Sequence, residues 1–188
     1  MNVIQRILPK NCYSPNKPFD LEGFVIHYIS ACFTNRGKMF EIDPIEKILK
    51  EYKFSYHFII LRSGVIYQLA PVNMYVHHAG RSRFGSIFGK SCNYNSIGIA
   101  LVGGDAKEVG KENAHFELTQ YSSCANLINQ IKTNCPDAQI NEKYLVGHDQ
   151  VAIPRGRKKD PGKLFDYDLL KKCMRGDYGN TTVTNIRY

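Results

Sequence analysis

The stretch Ser96-Ile97-Gly98-Ile99-Ala100-Leu101-Val102 decides the fold class. It carries no charge, and only one Ser and one Gly interrupt the apolar series. A strand with one wet face alternates apolar and polar residues; a strand buried on both faces does not. The run therefore reads as a central strand of a sheet covered on both sides, ended by Gly103-Gly104. Working outward, Phe24 to Tyr28, Phe54 to Leu61, Val65 to Leu69 and Leu145-Val146 read as further strands, with Ser63-Gly64 as a hairpin turn. Helical spacing lies between them. Asp43-Pro44 opens one helix with Pro at its first position, and Ile45, Ile48, Leu49 and Tyr52 face the core. Thr119 caps a second, with Tyr121, Leu127, Ile128 and Ile131 on one side. Asp166 opens a third, running to about Met174. Strands alternating with helices predict an α/β single domain: a central, mainly mixed β-sheet flanked by helices.

The 188 residues suit one domain. Residues 1–22 read as an irregular segment broken by Pro9, Pro15 and Pro18; 23–175 as the folded domain; 176–188 as a polar, frayed tail. With 43% hydrophobic residues the chain packs a core. No run is long and apolar enough for a membrane span. Met1 to Arg6 lacks the pattern of a signal peptide, so the protein is expected in the cytoplasm of the producing cell, as a monomer, unless some other device carries it out. Cysteines 12, 32, 92, 124, 135 and 173 form no Cys-x-x-Cys and read as reduced thiols. Cys32, close in sequence to His27, is the one thiol with a conceivable ligand role. The net charge of +8 suits a polyanionic partner, wall polymer or nucleic acid. No helix-turn-helix or zinc-finger spacing supports nucleic acid.

The candidate chemistry lies in Gly147-His148-Asp149-Gln150-Val151-Ala152-Ile153-Pro154-Arg155-Gly156-Arg157-Lys158-Lys159-Asp160-Pro161-Gly162. His148 follows the apolar run Tyr144-Leu145-Val146, at the mouth of a strand. A loop rich in Pro, Gly and cations returns Asp160, held by the Pro161-Gly162 turn. A catalytic zinc takes three protein ligands and keeps one position open. His148 and Asp160 supply two, and His27, ending Phe24-Val25-Ile26, is the third candidate. Residues 70–94 form a long loop, in which His78 is a candidate contact for substrate. His115 reads as a plain polar residue.

Val25-Ile26-His27, Ser55-Tyr56-His57-Phe58-Ile59-Ile60, His78-Ala79-Gly80, Asn95-Ser96-Ile97-Gly98-Ile99, Leu101-Val102-Gly103-Gly104, Gly147-His148 and Arg157-Lys158-Lys159-Asp160-Pro161-Gly162 occur in that order. Together, over residues 23–175, they resemble the zinc-dependent N-acetylmuramoyl-L-alanine amidases. That family embraces phage endolysins of the T7 lysozyme type, cell-wall recycling amidases and peptidoglycan recognition proteins. The resemblance implies a peptidoglycan-recognition-protein/T7-lysozyme-like fold and hydrolysis of the muramyl–L-alanine amide of peptidoglycan. It implies Zn2+ held by His27, His148 and Asp160, with Tyr56 and Lys158 catalytic and His78 and Asn95 binding substrate. Lys158 is the expected cation beside the reacting carbonyl; Lys159, alternating away from it, is expected to be solvated. Where the recycling branch has Ser-Ile-Gly-Ile-Glu this chain has Ala100, which points to the phage-type arrangement with Tyr56 and a bacteriolytic endolysin. Where the phage type often has Cys, this chain has Asp160. A secreted antibacterial amidase and a non-catalytic peptidoglycan-binding module are the alternatives.

Overall fold

The computed structural model describes residues 1–17, 19–29, 40–84, 91–104, 114–138, 140 and 142–188. Cys32 lies outside them; Cys12, Cys92, Cys124, Cys135 and Cys173 are free thiols. Among the described residues, eight strands and four α-helices follow in chain order: β1 Ile4–Gln5, β2 Tyr13–Ser14, β3 Gly23–Ile29, α1 Ile42–Tyr52, β4 Phe58–Ile60, β5 Ile66–Gln68, β6 Tyr75–Val76, β7 Ser96–Val102, α2 Leu118–Asn134, β8 Leu145–Gly147, α3 His148–Val151 and α4 Tyr167–Arg175. Six strands form one mixed sheet in the order β1-β5-β4-β7-β3-β8; β2 and β6 pair separately. Only the β4–β5 hairpin is antiparallel within the large sheet. The expected α/β domain with a mixed sheet is therefore what the chain forms.

The uncharged run 96–102 is β7, buried along its whole length, because both faces of the sheet are covered. On one face Phe24, Ile26, Ile97, Ile99 and Leu101 meet Tyr121, Leu127, Ile128 and Ile131 of α2 and Leu170 and Cys173 of α4. On the other, Ile59, Ala100 and Val102 meet Ile45 and Leu49 of α1. The rest of that face, around Val25, packs against Ala79, Cys92 and Val151. The site lies there, at the carboxyl ends of β3 and β8.

Several local readings shift. Helix α1 begins at Ile42, so Pro44 stands third, still in the first turn where its missing N–H costs no bond. Tyr52 is 65% exposed instead of facing the core. Glu46 is buried on that helix, because Arg6 Nε donates to its carboxylate at 2.6 Å and Lys50 joins it at 3.1 Å. Helix α2 is capped by Glu117, which exchanges bonds with Gln120; Thr119 instead donates to Arg62 O. Asp166 does cap α4, accepting from Leu169 N at 2.8 Å.

The ends of the chain depart most from expectation. Residues 1–22 supply β1 and β2. The tail is clasped to the chain start and to β5: Val3 N donates to Thr184 O, Thr184 N to Met1 O, and Arg187 N to Gln68 Oε1. Val183 is buried. The tail's polar groups find backbone partners along the outer sheet edge, which a composition reading misses. Among the described residues no helix is long and apolar enough to cross a membrane.

Candidate active site

Parallel register brings the ligands together. β3 pairs with β8 so that Ile26 stands opposite Gly147, and His27 and His148 follow at the same end of neighbouring strands. His148 begins the one-turn helix α3 rather than a loop, and Gln150 Oε1 accepts from Gly147 N to hold that turn. Asp160 is drawn back by its own backbone: Asp149 N donates to Asp160 O at 2.8 Å. Gly162, at φ +75°, makes the turn that leaves the carboxylate inward.

Asp160 Oδ2 lies 2.8 Å from His27 Nδ1 and 3.1 Å from His148 Nδ1. One ligand atom from each residue falls within 4.8 Å of the other two. His27 is fully buried and His148 nearly so.

The hydrogen bonds around the rings settle their tautomers. A carbonyl only accepts, so His148 Nε2 is the donor to Ala79 O at 2.9 Å. Likewise His78 Nε2 donates to Ser96 O at 3.2 Å. Burial, then the neighbouring His27, His57 and His148, holds the pKa of His78 well below the usual imidazole value. His78 is therefore neutral, and its Nδ1 accepts from His27 Nε2 at 3.1 Å. Both ligand rings thus donate through Nε2 and turn an Nδ1 lone pair toward a carboxylate. Burial pushes His27 down to about 4 despite Asp160, so near pH 7 no proton mediates this contact. Two lone pairs and a carboxylate aimed at one point, each imidazole anchored from behind, form a donor set that fits a divalent cation and suits zinc.

The group opens on a cleft of about 690 Å³ lined by Tyr28, Phe54, Tyr56, Tyr75, His77, His78, Ala79, Gly80, Asn93, His148, Arg157, Lys158, Lys159 and Asp160. The Tyr56 ring centroid is 4.9 Å from that of His27. Burial, then Asp160, drives the Tyr56 phenol well above its ordinary pKa, so it is a neutral hydroxyl. Lys158 lines the same cleft. Lys159 lines it too, contrary to the alternation expected. Arg157 is tied to carbonyls: Nη2 donates to Ala79 O and Arg81 O, and Nε to Ile153 O.

Of the two expected substrate contacts, His78 lines the cleft but is buried, and its Nδ1 supports His27 from beneath. Asn95 is wholly buried and absent from the cleft lining, with its amide against Phe84 O at 3.4 Å. Asn93 lines the cleft instead. Its Oδ1 accepts from His78 N and Ala79 N, and its Nδ2 donates to Tyr75 OH. No local pattern marks Asn93, because its partners stand 14–18 residues away. Gly98 had a readable signal: a Cβ there would come within 2.6 Å of the His78 ring.

Comparison with known proteins agrees with this geometry. Residues 16–163 match the family model described as N-acetylmuramoyl-L-alanine amidase. The chain is 32% identical over 172 residues to 1,6-anhydro-N-acetylmuramyl-L-alanine amidase AmpD of Haemophilus influenzae, covering 86% of each. A selenomethionine AmpD crystal structure superposes with a TM-score of 0.64 at 26% identity, over 91% of this chain and 93% of that one. The Escherichia coli amidase AmiD, in complex with anhydro-N-acetylmuramic acid-L-Ala-D-γ-Glu-L-Lys, superposes with a TM-score of 0.62 at 25% identity, over 89% of this chain and 61% of that one.

Proposed function

We propose, on the premise that this chain belongs to the N-acetylmuramoyl-L-alanine amidase family and acts on muramyl–L-alanine amide bonds, that His27, His148 and Asp160 hold a zinc ion and that the substrate is a soluble 1,6-anhydromuropeptide. The observation carrying the metal assignment is the pair of Nδ1 lone pairs aimed at Asp160, with both Nε2 protons committed elsewhere. The substrate reading rests on the AmpD relative, matched along 86% of its length.

Zinc held by these three residues would supply Lewis-acid activation of water and of the amide carbonyl. The residues around it supply the rest. The neutral Tyr56 hydroxyl, beside His27, orients the attacking water by hydrogen bonding. The Lys158 ammonium faces the carbonyl oxygen as it gains negative charge, a stabilisation worth most in the transition state. The cleft walls of Tyr28, Phe54 and Tyr75 position the substrate's apolar surfaces.

A lytic role on polymeric wall is the second reading, and Ala100 favours it. Its register places it beside His27 on β7, where the recycling type resembles a chain with Glu. Purified enzyme is to be given soluble anhydromuropeptide and intact sacculi, scoring new L-alanine amino termini and new reducing ends. Amino termini from the soluble substrate at the higher kcat/KM support the first reading; a preference for sacculi transfers support to the second. Reducing ends alone sink both. Elemental analysis of Asp160→Ala tests the site: near-stoichiometric zinc in the parent and little in the variant is expected.

A further inference from the structure

The two ligand imidazoles lean on consecutive residues. His27 Nε2 donates to His78 Nδ1 at 3.1 Å, and His148 Nε2 donates to Ala79 O at 2.9 Å. One side chain, Asn93, holds the backbone of both supports. We propose that Asn93 is a positioning residue for the metal group: its amide oxygen fixes the backbone at 78–79 and so sets the direction of both ligand rings. This rests on the reading of His27, His148 and Asp160 as metal ligands.

Asn93 lies in the short turn Cys92–Tyr94 that leads into β7, and Ser91 caps that turn by accepting from Asn93 N at 3.2 Å. Its side chain is buried. Donor chemistry fixes which way the amide faces. A backbone N–H only donates, so the amide oxygen is the atom turned to His78 N at 3.2 Å and Ala79 N at 2.7 Å. The nitrogen then donates to Tyr75 OH at 3.2 Å. An oxygen that accepts from two successive N–H groups holds the peptide planes on either side of one Cα, here that of His78. This aims the His78 ring at His27, while His78 Nε2 is tied to Ser96 O at the far end. It also places Ala79, whose carbonyl reaches His148 and is joined there by Arg157 Nη2 at 3.2 Å.

A neighbouring residue separates this role from plain loop stitching. Ser82 joins the same two segments: its hydroxyl donates to Gly80 O and accepts from Cys92 N, both at 3.0 Å. Ser82 is buried as Asn93 is, but neither of those partners supports a ligand ring. Both N–H groups held by Asn93 belong to residues that do. The outer partner of a ligating histidine is worth about 10–100-fold in metal affinity, and here a single oxygen governs two such partners.

The test measures zinc affinity of the full chain by competition with a chelating dye, without substrate. Asn93→Leu fills the same space with no acceptor, and Asn93→Ser is too short to bridge both N–H groups. Both are expected to bind zinc about 10–100-fold more weakly than the parent. Asn93→Asp keeps an oxygen for both N–H groups and lets the Tyr75 hydroxyl become the donor, so it should bind no more weakly than the parent. Ser82→Ala loosens the same pair of segments and should leave zinc affinity unchanged. In the metal-free proteins, NMR should show the Nε2 protons of His27 and His148 exchanging slowly in the parent and Asn93→Asp, and fast in Asn93→Leu and Asn93→Ser. Four results overturn the role: parental affinity in a folded Asn93→Leu or Asn93→Ser, affinity in Asn93→Asp as low as theirs, an equal loss in Ser82→Ala, or failure of both Asn93→Leu and Asn93→Ser to fold. The metal reading fails on a different result, a parent that takes up no stoichiometric zinc, and the exchange of the ring protons still decides the role of Asn93 in that case.

Discussion

Lys158 and Asp160 stand two residues apart on one loop, yet the chemistry asks opposite things of them. Asp160 is drawn into the cluster with His27 and His148 and must be ionised to serve there as a ligand. Lys158 stays exposed at the cleft. An ammonium that acts once the oxyanion forms lowers the barrier more than it tightens ground-state binding. Lys158→Ala is therefore expected to lower kcat by about 10²–10³ while zinc content and KM change little. Lys159 cannot serve as the neutral control, because it lines the same cleft. Lys172 can: it is exposed on α4, behind the opposite face of the sheet. Equal turnover in Lys158→Ala, Lys172→Ala and the parent would remove Lys158 from the mechanism.

Strand β7 works as an element by what it lacks. Its face toward the site carries Gly98 and Ala100, paired with Val25 and His27 of β3. The missing side chain of Gly98 is the space in which the His78 ring lies, with Cγ and Nδ1 at 2.6 and 2.7 Å from where a Cβ would stand. Neither the β7 backbone nor the ring can shift cheaply, since Gly98 N also donates to His57 Nδ1 at 3.0 Å. Gly98→Ala is expected to push His78 off His27 Nε2 and leave that ring without its anchor. The loss of such an outer partner costs about 10–100-fold in metal affinity, and overpacking destabilises by about 1–3 kcal/mol. Zinc competition against a chelating dye and a thermal melt measure the two effects. Parental zinc affinity in a folded Gly98→Ala variant would mean that His78 supports nothing.

At the scale of the whole molecule, buried neutral histidines set the acid limit of stability. His57 accepts from Gly98 N and donates to Met74 O, and burial takes its pKa down to about 3 from an ordinary 6.5. The unfolded chain takes up a proton below pH 6.5 that the folded chain refuses until about pH 3. This contribution to stability is complete above pH 6.5 and is lost progressively as pH falls from 6.5 toward 3. For one such group the loss amounts to a few kcal/mol, about 1.4 per pH unit. The metal-free melting temperature is expected to fall between pH 6.5 and 4. In His57→Gln it should start lower at pH 7.5 and fall less steeply. Parallel curves for the two proteins would show that His57 does not carry the effect.

The sequence by itself determined what rests on local pattern. The uncharged run 96–102 announced a strand buried on both faces, and alternation of such runs with helical spacing announced the layered fold. Residue type and strand-end position were enough to nominate His27, His148 and Asp160, because metal ligands come from a short list of side chains. The tertiary structure decided everything that depends on partners distant in the chain. His78 supports His27 because its ring lies over Gly98 of β7 and accepts from His27 Nε2. Asn93, also buried, reaches the cleft lining because its side chain stitches 78–79 to the 91–93 turn, while Asn95 does not. Lys159 joins Lys158 in the cleft because a loop without a regular partner strand does not keep strict alternation. The tail is ordered because the sheet edge formed by β1 and β5 offers backbone partners to residues more than a hundred positions later. Hydrogen bonds and burial between such distant segments have no period, and so leave no mark in the sequence that a pattern can detect.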